Sequence, residues 1–96
     1  MADEATQEWL RRAIRVAMAQ QDLSYADLVE RLGRLGIEEN EHNIRNKVSR
    51  GTFAATFFVQ CLAAAGSEQL DLKSLASELQ EAQERRNVKG KRGKER

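Results

Sequence analysis

The chain has 96 residues, of which 41% are hydrophobic and 32% charged, with a formal net charge of +1. A chain of this length forms one domain with a modest core, which leaves little room for an elaborate active-site cleft. No apolar run approaches the roughly 20 residues needed to cross a bilayer, and no apolar block follows the acidic residues 1–4. We therefore expect a cytoplasmic protein that has no membrane segment or secretory signal and is not an enzyme.

Cysteine and histidine are too scarce for a disulfide or a structural zinc site. Cys61 and His42 are the only residues of their types, and Cys61 lies in an apolar stretch, where a small buried hydrophobic residue is expected. Glu41 and His42 could form an acid/base pair, but a lone histidine on an exposed helix is more typical of a surface or DNA-facing position. We expect no metal, no cofactor and no small-molecule substrate.

Charge is distributed unevenly along the chain. Residues 1–84 carry nine Lys or Arg and fourteen Asp or Glu, a net charge of −5, whereas residues 85–96 carry seven Lys or Arg and only Glu95, a net charge of +6. The composition of residues 87–96 predicts disorder, because too little apolar surface is available to offset the ordering entropy. Two interpretations stay open: an arm that contacts phosphates, or a solvated terminus that aids solubility.

The composition favours helices, since proline is absent and β-branched residues are scarce. A first helix over residues 6–21 has apolar side chains at helical spacing. A second helix should begin after Ser24, with Asp27 in a capping box, and run to about residue 35. The buried faces of these two helices would carry Trp9, Leu10, Ala13, Ile14, Ala17, Met18, Tyr25, Leu28, Val29 and Leu32.

Glycines and capping residues predict the later elements. Gly33 and Gly36 frame a loop with Leu35 and Ile37 turned inward, and Asn40 caps a third helix over residues 41–50. Gly51 ends this helix, and Thr52 caps a fourth that carries Phe53, Phe57, Phe58, Cys61, Leu62 and Ala65 and ends at Gly66. A last helix begins near Ser67 or Asp71 and contains Leu72, Leu75, Leu79 and Ala82.

The pattern therefore predicts an all-α fold, a compact four- to five-helix domain that contains a helix-turn-helix. The domain would span residues 6–86, between a flexible N-terminus at residues 1–5 and a disordered basic C-terminal tail at residues 87–96. Its third helix has only Ile44 and Val48 as large apolar residues. The remaining side chains can donate to bases and phosphates, although any short surface helix is polar. They are His42, Asn43, Arg45, Asn46, Lys47, Ser49 and Arg50.

These segments resemble a known superfamily. The helix-turn-helix of lambda-repressor-like proteins is similar to residues 23–33 (LSYADLVERLG), Ile44, Arg50-Gly51 and residues 57–66. A closer similarity, to a family of small uncharacterised bacterial proteins with a predicted helix-turn-helix domain, rests on Ser24-Tyr25, residues 43–47 (NIRNK) and residues 49–53 (SRGTF). The resemblance covers about residues 8–66 and implies a bacterial or phage transcriptional regulator that binds double-stranded DNA.

In that superfamily the second helix of the motif enters the major groove, and the resemblance assigns roles accordingly. It places Glu41, His42, Arg45 and Asn46 at bases and Lys47 and Arg50 at phosphates. In the basic tail, Lys89, Lys91 and Arg92 are the further candidates for phosphate contacts.

A protein-interaction module is the alternative, for instance an antitoxin-like partner or a small subunit of a larger complex. Leu72, Leu75 and Leu79 form a strip on the last helix that a second chain could cover, which would give a weak homodimer. The strip would equally serve a helix that folds back on its own domain.

Overall fold

The computed structural model describes the backbone of residues 4–91 and the side chains of residues 4–86. Within that part the chain forms five helices and no strand. The all-α fold expected from the sequence is confirmed. In chain order the helices are α1 (Glu4–Gln20), α2 (Tyr25–Arg34), α3 (Glu41–Arg50), α4 (Ala55–Ala64) and α5 (Leu72–Lys91).

Side-chain caps define the two central helices as the sequence predicts. Ser24 Oγ accepts a hydrogen bond from the Asp27 backbone N–H (3.1 Å), and Asp27 Oδ2 accepts one from the Ser24 N–H (2.9 Å), which completes a capping box. Asn40 Oδ1 accepts from the Asn43 N–H at 2.8 Å. Gly51 ends α3 in the left-handed conformation, with φ of +68°.

The connection between α2 and α3 differs from expectation at Gly33 and Leu35. Gly33 lies inside α2, and Gly36 ends the helix instead, with φ of +83°. The Ile37 N–H then donates to the Leu32 carbonyl oxygen at 2.9 Å, a pattern typical of helix ends. Because of this turn Ile37 is half-buried, as predicted, whereas Leu35 is 56% exposed, so its predicted inward position was wrong.

Three helix boundaries also differ from the predictions. The N-cap of α4 is Ala54, with no side-chain hydrogen bond, so the predicted cap at Thr52 was wrong. α1 begins at Glu4, two residues earlier than expected. α5 begins at Leu72, next to the predicted Asp71, and continues to Lys91, beyond the expected end of the domain at Arg86.

The core lies where α1 and α2 meet α3 and α4. α1 contacts α3, α4 and α5, while α2 contacts α3 and α4, so α1 joins the central helices to the last one. None of the helices in the described part of the chain combines the length and apolar character of a membrane span. The buried core residues are Trp9, Ile14, Ala17, Met18, Leu28, Leu32, Ile44, Val48, Phe57, Phe58, Cys61, Leu62, Ala64 and Ala65.

The first half of α5 packs against α1. Trp9 Nε1 donates to Ser74 Oγ at 2.8 Å, and Arg12 forms an ion pair with Glu78. Leu75 packs against the core and Leu79 is half-buried, whereas Leu72 is 58% exposed. The leucine strip of the sequence is therefore divided between the domain's own core and its surface.

Candidate nucleic-acid interface

Two side chains attach α3 to the core. Ile44 and Val48 lie one turn apart, and both are 0% exposed. Full burial of an aliphatic side chain stabilises a fold by roughly 1.5–3 kcal/mol. Because the inward stripe is this narrow, most of the α3 surface is left to polar side chains that face away from the core.

Arg45 is oriented on this surface by two neighbours. Its Nη2 donates to Glu41 Oε2 at 2.9 Å, and its guanidinium lies 5.2 Å from the centroid of the Tyr25 ring. The side chains of Arg45 and Glu41 remain 55% and 47% exposed. An exposed i,i+4 ion pair contributes little to stability, so it opens at small cost when another acceptor is present.

His42 and Asn46 form a second pair on the same face. Asn46 Nδ2 lies 3.1 Å from His42 Nε2, one helical turn away. His42 is exposed and Asn46 is half-buried. Because an amide can pair with adenine N6 and N7, and an imidazole nitrogen can donate or accept, the pair suits contact with a base edge.

Lys47 points away from this polar face and toward the core. Its Nζ donates to Glu39 Oε2 at 2.8 Å and lies 4.6 Å from the centroid of the Phe57 ring. The side chain of Glu39 is 12% exposed, and that of Lys47 is 39% exposed. The ammonium group therefore already has an anionic partner and an aromatic one.

The C-terminal end of α3 lies against α1. Arg11 Nη1 donates to the Ser49 carbonyl oxygen at 3.2 Å, where a cation also complements the helix dipole. Arg50 is exposed and has no ion-pair partner among the described residues. Arg50 is thus the cation of α3 that is available to an external phosphate.

The charges of α3 and its preceding turn balance. Residues 38–50 contain three acidic residues (Glu38, Glu39 and Glu41) and three basic ones (Arg45, Lys47 and Arg50), a net charge of zero. A neutral surface attracts a polyanion weakly, because non-specific affinity grows with the number of phosphates that are neutralised. Any binding through α3 then depends on directed hydrogen bonds more than on overall potential.

The structure supports no reactive or metal-binding role for Cys61. Burial raises the pKa of the Cys61 thiol to about 12, and the Glu39 carboxylate adds to the rise while Lys47 opposes it. The thiol is therefore protonated near neutral pH and unreactive as a nucleophile. Within the described part of the chain, no three His, Cys, Asp or Glu side chains are grouped closely enough to hold a metal ion.

The structure places Glu41, His42, Arg45 and Asn46 on one helix, paired at i,i+4 spacing. Of the predicted phosphate contacts, Lys47 is bound to Glu39 and Arg50 is exposed. Lys89, Lys91 and Arg92 lie outside the residues whose side chains are described.

Sequence reasoning missed three residues that shape this surface. Tyr25 supports Arg45, Glu39 binds Lys47, and Arg11 binds the end of α3. The contacts of Tyr25 and Arg11 join α3 to another helix, and that of Glu39 joins α3 to the connection before it. Helical periodicity does not predict such contacts. The only sequence signal for an ion pair of Glu39 is that acidic residues precede α3.

Comparison with protein families places this surface inside a family domain. Residues 7–70 match the family described as a domain of unknown function (DUF6471). The chain belongs to the DUF6471 family. The DUF6471 match includes all of α2, α3 and α4 and ends before α5. No curated protein and no solved structure matches the chain.

Proposed function

We propose that the protein is a cytoplasmic regulator that binds double-stranded DNA in a sequence-specific manner through α3. The observation that carries the proposal is the arrangement of α3, which is anchored by Ile44 and Val48 and presents oriented donors and acceptors outward. A helix of this kind, preceded by a packed helix, is typical of helix-turn-helix DNA readers, although the connection at residues 35–40 is longer than the usual turn of about three or four residues. The resemblance to lambda-repressor-like domains supports the same interpretation.

Arg45 would make the main base contact. A guanidinium binds guanine O6 and N7 as a fork, and Tyr25 and Glu41 already restrict the conformations of this side chain. Glu41 accepts a hydrogen bond in the free protein and could accept one from cytosine N4 in a complex. Asn46 and His42 would contact the neighbouring base, and Arg50 a phosphate.

The test begins with selection of bound sequences from a random duplex pool. Wild type and variants are then titrated by fluorescence anisotropy against the selected duplex and against a random-sequence duplex. Arg45→Ala should lose about 1–3 kcal/mol on the selected duplex and little on the random one. Arg50→Ala should weaken both duplexes, because a phosphate contact carries no sequence information.

The control is Arg34→Ala, because Arg34 forms an exposed i,i+4 ion pair with Glu30 on α2. It removes the same charge as Arg45→Ala and should leave both affinities unchanged. A wild type that enriches no sequence and binds the random duplex no better than Arg50→Ala would refute DNA binding through α3. Folding of each variant is checked by circular dichroism.

A second candidate function is self-association through the side of the domain formed by α1 and α5. A groove of about 300 Å³ runs between these helices, with Val16 and Leu70 among its lining residues. Val16 is 47% exposed, Leu70 40% and Leu72 58%. Val16 of α1 and Leu70 of the segment before α5 line the groove, and Leu72 is the first residue of α5. We call these three exposed residues the α1–α5 patch, and a second copy of the chain is the proposed occupant. A homodimer would also present two copies of α3 to DNA, as two-fold readers do.

A further inference from the structure

Glu39 is a mostly buried carboxylate in the connection between α2 and α3. Its side chain is 12% exposed, and Oε2 accepts from Lys47 Nζ at 2.8 Å. The second oxygen, Oε1, is buried and has no hydrogen-bond partner in the described part of the protein. A buried charge with an unsatisfied oxygen is costly, so its one partner, Lys47, matters more than a partner at the surface would.

Lys47 joins three elements. It belongs to α3, its ammonium binds Glu39 of the connection, and it lies over the Phe57 ring of α4, itself 8% exposed. If Lys47 turned outward to a phosphate, Glu39 would remain buried without a counter-charge. Loss of the counter-charge of a mostly buried carboxylate is destabilising, whereas an exposed pair such as Arg45–Glu41 opens cheaply.

We propose that Glu39 and Lys47 are positioning residues that fix α3 against its connection and α4, and that Lys47 makes no phosphate contact. The second half of this proposal rests on the proposed DNA-binding function, and the first half does not. Lys47, which the sequence predicted to contact a phosphate, thus holds α3 against the connection and α4. The cations of α3 left for DNA are Arg45 and Arg50.

The first experiment measures amide hydrogen exchange without DNA. The Ile37 N–H donates to Leu32, and the Asn43 and Ile44 N–H groups donate to Asn40, so these amides report on the connection and the start of α3. Lys47→Met should speed their exchange about 5- to 30-fold, the factor that corresponds to one or two kcal/mol. Lys47→Arg keeps the charge and the aromatic contact and should restore most of the protection.

Amides in the middle of α1 and the variant Arg34→Met are the controls. Arg34 belongs to an exposed pair on α2, so Arg34→Met should leave the exchange of all these amides unchanged. Glu39→Gln should increase the exchange less than Lys47→Met does, because the side-chain amide oxygen of the glutamine still accepts a hydrogen bond from Lys47. Unchanged exchange at Asn43 and Ile44 in both Lys47→Met and Glu39→Gln would overturn the positioning role. An increase spread evenly over α1 would overturn it as well.

The second experiment measures how affinity for a random-sequence duplex depends on salt. Arg50→Met should reduce the slope of log affinity against log salt by about 0.9, as expected for one phosphate contact. Lys47→Met should keep the wild-type slope even where the affinity falls. A slope reduced equally in both variants would show that Lys47 binds phosphate. If wild type binds no duplex, the proposed function fails, while the exchange experiment still decides the positioning role.

Discussion

Gly51 shows how one residue links the candidate interface to α1. Its φ of +68° is in the left-handed region, which side chains other than glycine adopt at a cost of about 1–2 kcal/mol. A Cβ at this position would also lie 2.9 Å from both the Gln7 carbonyl oxygen and Arg11 Nη1. The arginine can move, but the backbone oxygen of Gln7 cannot move without displacing α1.

Three glycines therefore form a graded series of alanine substitutions. Gly51→Ala should cost more than the about 1–2 kcal/mol of the left-handed backbone alone, because of the close approach to Gln7. Gly36 has φ of +83°, but a Cβ added there would have nothing within 4 Å, so Gly36→Ala should cost only the left-handed backbone energy. Gly33→Ala, within α2 and also unobstructed, should stabilise the protein by about 0.5–1 kcal/mol.

Urea unfolding of the three variants measures these differences. The urea midpoint should be highest for Gly33→Ala and should then fall through wild type and Gly36→Ala to Gly51→Ala, with similar m-values. Equal losses at Gly36 and Gly51 would mean that the approach of α1 to the end of α3 is unimportant.

At the scale of elements, the capping box makes the start of α2 sensitive to acid. The pKa of the Asp27 carboxyl lies below its ordinary value of 3.8, mainly because of the hydrogen bond from the Ser24 backbone N–H and, to a smaller extent, because of the Ser24 side chain. A carboxyl whose pKa is lowered by folding stabilises the protein above its unfolded pKa. That contribution is lost as the pH falls through the folded pKa.

Asp27→Ala should therefore be less stable than wild type at neutral pH, and the difference should shrink below pH 3.8. The neutral-pH difference also contains the helix-dipole and capping contributions of the carboxylate. Thermal unfolding at a series of pH values provides the measurement. A difference that stayed constant down to strongly acidic pH would contradict the capping role of the charged form. Ser24→Ala, which removes the other half of the box, should cost about 1 kcal/mol at neutral pH.

At the scale of the whole molecule, Leu72 and Leu75 separate association from folding. Leu72 is 58% exposed in the α1–α5 patch, whereas Leu75 packs against the core. If a second copy covers the patch, Leu72→Ala should weaken self-association and change stability by less than about 0.5 kcal/mol. Leu75→Ala should cost about 1–3 kcal/mol of stability, less than the same replacement at most fully buried leucines. It should leave association largely intact.

Sedimentation equilibrium and urea unfolding of the two leucine variants supply the two measurements. A wild type that remains monomeric at high micromolar concentration would exclude the homodimer. Association that depends on Leu75 and not on Leu72 would place the interface elsewhere on α5.

The basic C-terminus should add affinity for DNA without adding selectivity. Residues 88–96 contain five Lys or Arg and one Glu, a net charge of +4, whereas the surface of α3 is neutral. Replacement of Lys89, Lys91 and Arg92 by glutamine should weaken binding to selected and random duplexes equally and reduce the salt slope by up to about 2.7. Anisotropy titrations over a range of salt concentrations would show this, and a change of sequence preference with an unchanged slope would contradict it.

Local signals in the sequence determined most of the helices. Ser24, Asn40 and Gly51 act over three or four residues, through hydrogen bonds and backbone conformations that depend on residue type, and all three lie where the sequence predicted them. The apolar spacing of Ile44 and Val48 likewise identified the inward face of α3. The prediction at Thr52 was wrong because a capping residue acts only where the chain turns into a helix, and that turn occurs at Ala54.

Only the tertiary structure decided which charged and apolar side chains are free to meet a partner. Lys47 and Arg50 look alike in the sequence, yet Lys47 is bound by Glu39 and Phe57 while Arg50 is exposed. Leu72 and Leu75 look alike as well, and they divide between surface and core. Periodicity assigns a side chain to a face of its own helix, whereas its availability depends on what other helices place against that face. The sequence by itself therefore determined most of the helices and the caps at Ser24, Asn40 and Gly51. The packing of the connection, α4 and α1 decided which residues of α3 remain free.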